Sequence, residues 1–154
     1  MKAVVFALSF FMICNLCIVS HAADIRVVKE PNQNILGPYS QAIIANGFLF
    51  ASGVIAINPE TGKLAGDTIQ LQTQQVFTNI RAVLAAGGAT LNDVVKVTVF
   101  LKNPHDFPAM NEIYADIFKE YKPARTTVPG VEWGPGILIE IDVIAAMPKE
   151  GDSE

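Results

Sequence analysis

Two ionisable residues near the end of the chain stand at unusual places, one at the head of a strand and one within the most apolar strand. Arg125 follows Pro123-Ala124, at the head of a segment that can begin a strand. Glu140 lies within Ile137–Ala146, a run of branched apolar residues interrupted only by Glu140 and Asp142. Alternate side chains of a strand share a face, so Leu138, Glu140, Asp142 and Ile144 point one way and Ile137, Ile139, Ile141 and Val143 the other. A carboxylate on a face packed against protein is only partly solvated, and that is costly unless it is paired or hydrogen-bonded. Two arrangements meet the cost. Arg125, on a strand expected beside the last one, can form a structural ion pair with Glu140 across strands or subunits. Alternatively the two residues line a polar pocket at an apolar interface, where the guanidinium fork grips a small anion and the carboxylate holds a water. Spacing alone leaves both open.

Other chemistry is poorly supplied. Lys2 is followed by "AVVFALSFFMICNLCIV" and then "SHAAD". A basic start, an apolar stretch and small residues near a cut site predict a secretory signal peptide over 1–23. The apolar stretch is short for a bilayer span, so cleavage is expected rather than anchoring. That leaves a periplasmic or secreted protein without membrane attachment: one domain over 24–154, with a short acidic tail at 149–154. Cys14, Cys17 and His21 all fall in the leader, and His105 is the one histidine after it. The remaining chain has no thiol for nucleophilic attack, disulfides or metal binding, and a Ser-His-Asp triad or histidine metal site is not expected. Without Lys2, ten basic residues stand against fifteen acidic ones, a net charge of −5. An acidic domain with no basic run argues against nucleic acid as the main partner.

The elements that must position Arg125 and Glu140 follow from hydrophobic period. Ile25–Val28 predicts a short edge strand. "ILGPYSQAIIANGFLFASG" predicts a hairpin, because Asn46-Gly47 suits the positive backbone angles of a type I′ turn. Its second strand is expected over Phe48–Ser52, and Asn58–Gly66 reads as a polar loop. From Thr68 to Ala86 the residues Val76, Ile80, Val83 and Leu84 recur at helical spacing, with Gln72, Gln75, Asn79 and Arg81 assigned largely to other faces. Asp67 or Thr68 is expected to cap that helix and Gly87-Gly88 to end it. Val94–Leu101 predicts a strand with Val95, Val97, Val99 and Leu101 on one face and Val94, Lys96, Thr98 and Phe100 on the other. A second helix is expected over Asp106–Tyr121, with Phe107, Met110, Tyr114, Ile117 and Tyr121 as its apolar stripe. Two strands close the domain. The order predicts an α+β fold, a mixed sheet with two helices on one face. Both faces of the long strands are apolar, so the uncovered face predicts a partner surface, most simply copies of the same chain.

The segments "LGPYSQAI", "ASGVIAINPETGKL", "TNIRAVLAAGG", "VVKVTVFLKN", "FPAMNEIYADIF", "PARTTV" and "ILIEIDVIA" occur in one order, and over Leu36–Ala145 the chain resembles the RidA (YjgF) family of reactive-imine deaminases. The resemblance implies a chorismate-mutase-like fold and a homotrimer whose sheets line a central barrel, with sites in the clefts between subunits. It implies hydrolysis of 2-imino acids and their enamine tautomers, the products of pyridoxal-phosphate dehydratases, to 2-keto acids and ammonia, with no metal and no organic cofactor. Carried onto this sequence, Arg125 would bind the substrate carboxylate and Glu140 would position the water. Tyr39, Ser52, Gly53, Asn111 and Thr127 would line the pocket. Hairpin packing is the other role open to Tyr39, and an exposed helical position the other one open to Asn111.

The chain departs from the family pattern at three points. Thr127 stands where many members have cysteine, Trp133-Gly134-Pro135 replaces the usual Leu-Pro, and the leader directs the domain away from the cytoplasm. Two other functions stay open: a non-catalytic homotrimer that binds small carboxylates or acts as a chaperone, and an endoribonuclease. Acidic charge and a single histidine speak against the second.

Overall fold

Asn46 and Gly47 both take positive φ, 50° and 77°, and so build the expected I′-type turn between the first long strands. The computed structural model describes residues 24–32, 35, 37–132 and 134–148. The leader expected over 1–23, Trp133 and the tail at 149–154 lie outside these. In chain order the elements are β1 (Ile25–Val28), β2 (Ala42–Ala45), β3 (Phe48–Ala51), β4 (Val54–Ile55), β5 (Ile57–Asn58) and β6 (Lys63–Leu64). There follow α1 (Ile69–Gly87), β7 (Val94–Leu101), α2 (Phe107–Ile117), β8 (Ala124–Pro129) and β9 (Ile139–Ala146). The expected loop over Asn58–Gly66 thus contains a small ladder, β5 with β6.

The main sheet runs β1-β2-β3-β9-β7-β8, with β4 continuing past β3 along the same edge of β9. Among the described strands only β7 and β8 pair in parallel, and α2 makes the crossover between them. The arrangement is the expected mixed α+β sheet with both helices on one face.

Local signals set the helix ends. The Thr68 hydroxyl accepts from the Leu71 N–H, and Gly88, with φ of 87°, closes the C-terminus, a conformation glycine adopts without Cβ strain. α2 stops at Ile117, short of the expected Tyr121. Phe118 leaves helical geometry and turns into the core, and Pro123 further disfavours helix at the residue before it.

The core lies between the helices and one sheet face. Val76, Phe77, Ile80, Val83 and Leu84 of α1, with Met110 and Tyr114 of α2, cover Leu49, Val97, Val99, Leu101, Ile139, Ile141 and Val143. Each large side chain buried this way stabilises the fold by about 1.5–3 kcal/mol.

Two expectations are corrected here. Val94 belongs to the buried face, because the ladder shifts by one residue between Val94 and Lys96; a bulge at Val95 reverses the alternation before it. Gln72 and Asn79 do not face away from the core: Gln72 is 0% exposed and Asn79 is also buried. The Gln72 amide donates to Gly66 O and Gly136 O and accepts from Leu138 N at 2.8–3.0 Å. Asn79 donates to Ile55 O and Ile57 O. Both side chains take the place of backbone partners that a sheet would otherwise supply.

The opposite sheet face has no helix over it. Register brings Ile43, Phe50 and Ile144 to one level and Ile55, Glu140 and Phe100 to another. Phe48, Phe50, Val27 and Val128 are exposed. The uncovered face is therefore largely apolar around Glu140.

Candidate active site

Glu140 sits on the uncovered face near the centre of the sheet. Its neighbours across the ladders are Ile55 of β4 and Phe100 of β7, so little solvent reaches its flanks. Burial pushes the carboxyl above the ordinary 4.5, and the Asp142 charge two residues on adds to the rise. Beside it the strand neighbouring β9 breaks at Ser52-Gly53, between β3 and β4. A Cβ on Gly53 would overlap the Glu140 carboxylate. The bare glycine backbone is therefore what makes room for the acid.

Tyr39, Ser52 and Gly53 meet at the same break. They line a cavity of about 130 Å³ together with Val54, Ile55 and Asn79. The Ser52 hydroxyl donates to Ser40 O at 2.7 Å and its N–H to Gln41 O at 2.9 Å, which ties the Tyr39 loop to the break. Tyr39 packs back on Gly37 and is 48% exposed, so its hydroxyl is free to meet a ligand or a second chain. Glu140 is not among the cavity's lining residues; Gly53 stands between.

Arg125 lies elsewhere. It is level with Val97 of β7, which is level with Val143 of β9; residues side by side on a sheet share a face, so Arg125 projects beneath α2. Its guanidinium carbon lies 4.4 Å from the Tyr114 ring centroid and 5.6 Å from that of Phe107. Among the described residues it forms no ion pair and no side-chain hydrogen bond. Asn111 follows Phe107 by four residues and precedes Tyr114 by three, which brings it to the same side of α2. Thr127 is two residues along β8 and faces the same way as Arg125. The hydroxyls of Tyr114 and Thr127 are buried with no hydrogen-bond partner among the described residues. Burial raises the Tyr114 phenol, and the Arg125 charge opposes that rise.

The seven candidate residues therefore form two groups. Tyr39, Ser52, Gly53 and Glu140 surround the β3–β4 break; Asn111, Arg125 and Thr127 lie under α2. The expected neighbouring of the Arg125 strand with the last strand is not found. β8 follows the α2 crossover to the outer edge, so β7 separates it from β9, and Arg125 and Glu140 face opposite sides. An Arg125–Glu140 ion pair within one chain is thereby excluded. Each group carries half of a chemistry: a planar cation whose donor edge is unclaimed among the described residues, and a partly desolvated acid beside an open backbone. Helical spacing marks Phe107 and Tyr114 as part of an apolar stripe, and the same two rings bracket the arginine.

Among the described residues, no group of three His, Cys, Asp or Glu side chains is arranged to hold a metal ion, and no helix is long and apolar enough to cross a membrane.

A family model described as endoribonuclease L-PSP matches residues 31–147. A solved protein of the conserved Rid family from Yersinia pestis superposes with a TM-score of 0.76 at 46% identity, over 80% of this chain and 99% of that one. The chain belongs to the RidA family. Within it, a 2-iminobutanoate/2-iminopropanoate deaminase of Dermatophagoides farinae is 39% identical over 123 residues, 79% of this chain and 96% of the relative. The RidA-family structure of E. coli TdcF with bound serine has a TM-score of 0.74 and 29% identity, covering 80% of this chain and 99% of that one. The RidA assignment accounts for the mixed sheet and its two helices, and it makes a small-molecule site the expected location of function.

Proposed function

We propose that the protein hydrolyses 2-imino acids and their enamine tautomers to 2-keto acids and ammonia, at sites shared between copies of the chain in a homotrimer. The observation that carries this reading is the state of Arg125: a guanidinium held over two aromatic rings, with no carboxylate of the described residues on its donor edge. A planar fork left free in this way suits a small carboxylate, which it can bind through two parallel N–H···O bonds. A serine-bound relative and a relative named as an iminobutanoate deaminase support the same ligand class.

In this reading Arg125 of one copy holds the substrate carboxylate and Glu140 of a neighbouring copy orients a water against the imine carbon. The water oxygen bonds to that carbon, Glu140 accepts the water proton, and the proton is returned to nitrogen. Collapse of the carbinolamine then breaks the C–N bond as its hydroxyl proton passes to nitrogen, which releases ammonia and leaves the keto acid. A carboxyl raised above its ordinary range is better matched to proton transfer near neutral pH, and its placement by three strands removes part of the entropy barrier. Tyr39, Ser52 and Gly53 line the Glu140 side of the site, and Asn111 and Thr127 the Arg125 side. The uncovered sheet face, with Phe50 and Ile144, supplies the surface that joins the copies. A leader over 1–23 would bring this activity to the periplasm or the exterior.

The test is direct. The purified protein is mixed with threonine dehydratase and threonine, and formation of 2-ketobutyrate is followed. Acceleration that is lost in Arg125→Ala supports the reading. No acceleration, or equal acceleration by the variant, overturns it; binding of 2-ketobutyrate without turnover marks a non-catalytic carboxylate binder instead.

A further inference from the structure

Arg125 is anchored unusually for a cation beneath a helix. An arginine that must meet an anionic ligand needs a fixed direction, because a freely rotating side chain loses its rotamer freedom on binding and weakens the complex. A carboxylate partner would give that direction, but it would also occupy the donor edge and compete with the ligand. Aromatic faces do not. They attract the flat of the guanidinium and leave its N–H groups, which all lie in the plane, pointing outward.

We propose that Phe107 and Tyr114 are positioning residues that set the plane of the Arg125 guanidinium so that its fork meets the carboxylate of an amino-acid-derived ligand. The proposal rests on the reading of Arg125 as the carboxylate-binding residue. Tyr114 is the rigid half of the clamp. It is 7% exposed, and its ring is wedged against Phe77 at 5.9 Å and Phe118 at 4.8 Å between centroids. Phe77 is fully buried on α1, so the orientation of Arg125 is referred through Tyr114 to the centre of the core. Phe107, in the first turn of α2 and 39% exposed, is the outer half. The two are seven residues apart on one face of α2, two turns of helix, which lets both rings reach the same side chain on β8. The ring of Tyr114 carries this role rather than its hydroxyl, because that hydroxyl is buried and has no partner among the described residues.

The full chain is titrated calorimetrically with 2-ketobutyrate, a stable stand-in for the imino acid, and the variants are assayed with the dehydratase couple. Tyr114→Leu is expected to weaken binding by about tenfold and Phe107→Leu by about threefold, the range of a cation held over a ring. Tyr114→Phe and Phe107→Tyr keep the rings and stay within about twofold of wild type by the same logic. The losses fall on KM, with kcat within about twofold, since an interaction with the substrate carboxylate is present in ground and transition states alike. Thermal melts accompany each variant; where Tyr114→Leu melts too low to titrate, Phe107→Leu decides, because its ring is largely outside the core. Wild-type affinity in both leucine variants, with Arg125→Ala unable to bind, overturns the clamp and leaves the arginine's role standing. Wild-type affinity in Arg125→Ala overturns both.

Discussion

Arg125 and Glu140 point to opposite faces of one sheet, with β7 between their strands. A reaction that uses both must take them from different copies, and that arrangement has a signature no single-chain site shares. Arg125→Ala and Glu140→Ala are each expected to be inactive. Unfolded together and refolded as a mixture, they regain about a quarter of the wild-type rate, the share of interfaces in a randomly assorted closed ring that receive both intact residues. A mixture as inactive as its parents would show that the two residues do not meet across copies.

Gly53 lies against the Glu140 carboxylate and has ordinary backbone angles, so Gly53→Ala tests contact rather than conformation. The added methyl pushes the flexible end of Glu140 aside. Stability is expected to change by no more than about 1–2 kcal/mol, while kcat falls at least about tenfold through misplacement of the acid. In a Glu140→Ala background the same substitution should cost little stability, which a double-mutant melt measures.

Glu140 has its carboxyl raised by burial and by Asp142. Activity that needs the ionised form is therefore lost on acidification through a midpoint above 4.5, and kcat against pH shows that limb displaced upward. The folded protein also holds the proton more tightly than the unfolded chain does. The stability from this group is complete below the unfolded value and is lost as pH rises through the folded one. Glu140→Gln should thus melt higher than wild type at about pH 8, with the difference shrinking toward about pH 4. Equal shifts at both pH values would contradict the burial argument.

The Thr127 hydroxyl is buried and has no hydrogen-bond partner among the described residues. Thr127→Val is expected to be neutral or to stabilise by up to about 1 kcal/mol, since it removes a desolvated group that makes no hydrogen bond. Activity should stay within about twofold, an effect that corresponds to less than one such bond. A large rise in KM would instead make the hydroxyl a ligand contact.

Gln72 serves three backbone groups around the entry to β9. Gln72→Leu leaves those groups without partners in a buried setting and is expected to destabilise by about 2–4 kcal/mol, read as a fall in the denaturation midpoint. Replacement of the exposed Gln74 should do almost nothing.

Features with local causes were legible before the fold was known. The Asn46-Gly47 turn, the Thr68 and Gly88 caps of α1 and the two faces of β9 each depend on a few adjacent residues. Strand order is different in kind. The place of β8 depends on the α2 crossover, and that of β9 on a gap between β3 and β7; neither leaves a mark in the strand's own residues. Val94 was assigned to the wrong face because one bulged residue reverses an alternation of period two. Gln72 and Asn79 look like solvent-facing helix residues until the carbonyls and N–H groups they serve are in view. At the site, Arg125 stands out at the head of a strand and Glu140 as a charge among apolar neighbours, while Tyr39, Ser52, Gly53, Asn111 and Thr127 come only with the family resemblance. Phe107 and Tyr114 were hidden in plain sight, since aromatic residues at helical spacing also describe ordinary packing.

The last strand of the chain fills the middle of the sheet, joining β3 on one edge to β7 on the other. During translation the two half-sheets share no bridging strand until Ile139–Ala146 has left the ribosome. The nascent polypeptide carries its apolar strands unfinished for almost the whole of its synthesis, a state in which exposed apolar surface and open strand edges favour aggregation. A product of premature termination ahead of Ile139 would never acquire its centre, and clearance by proteases is its expected fate.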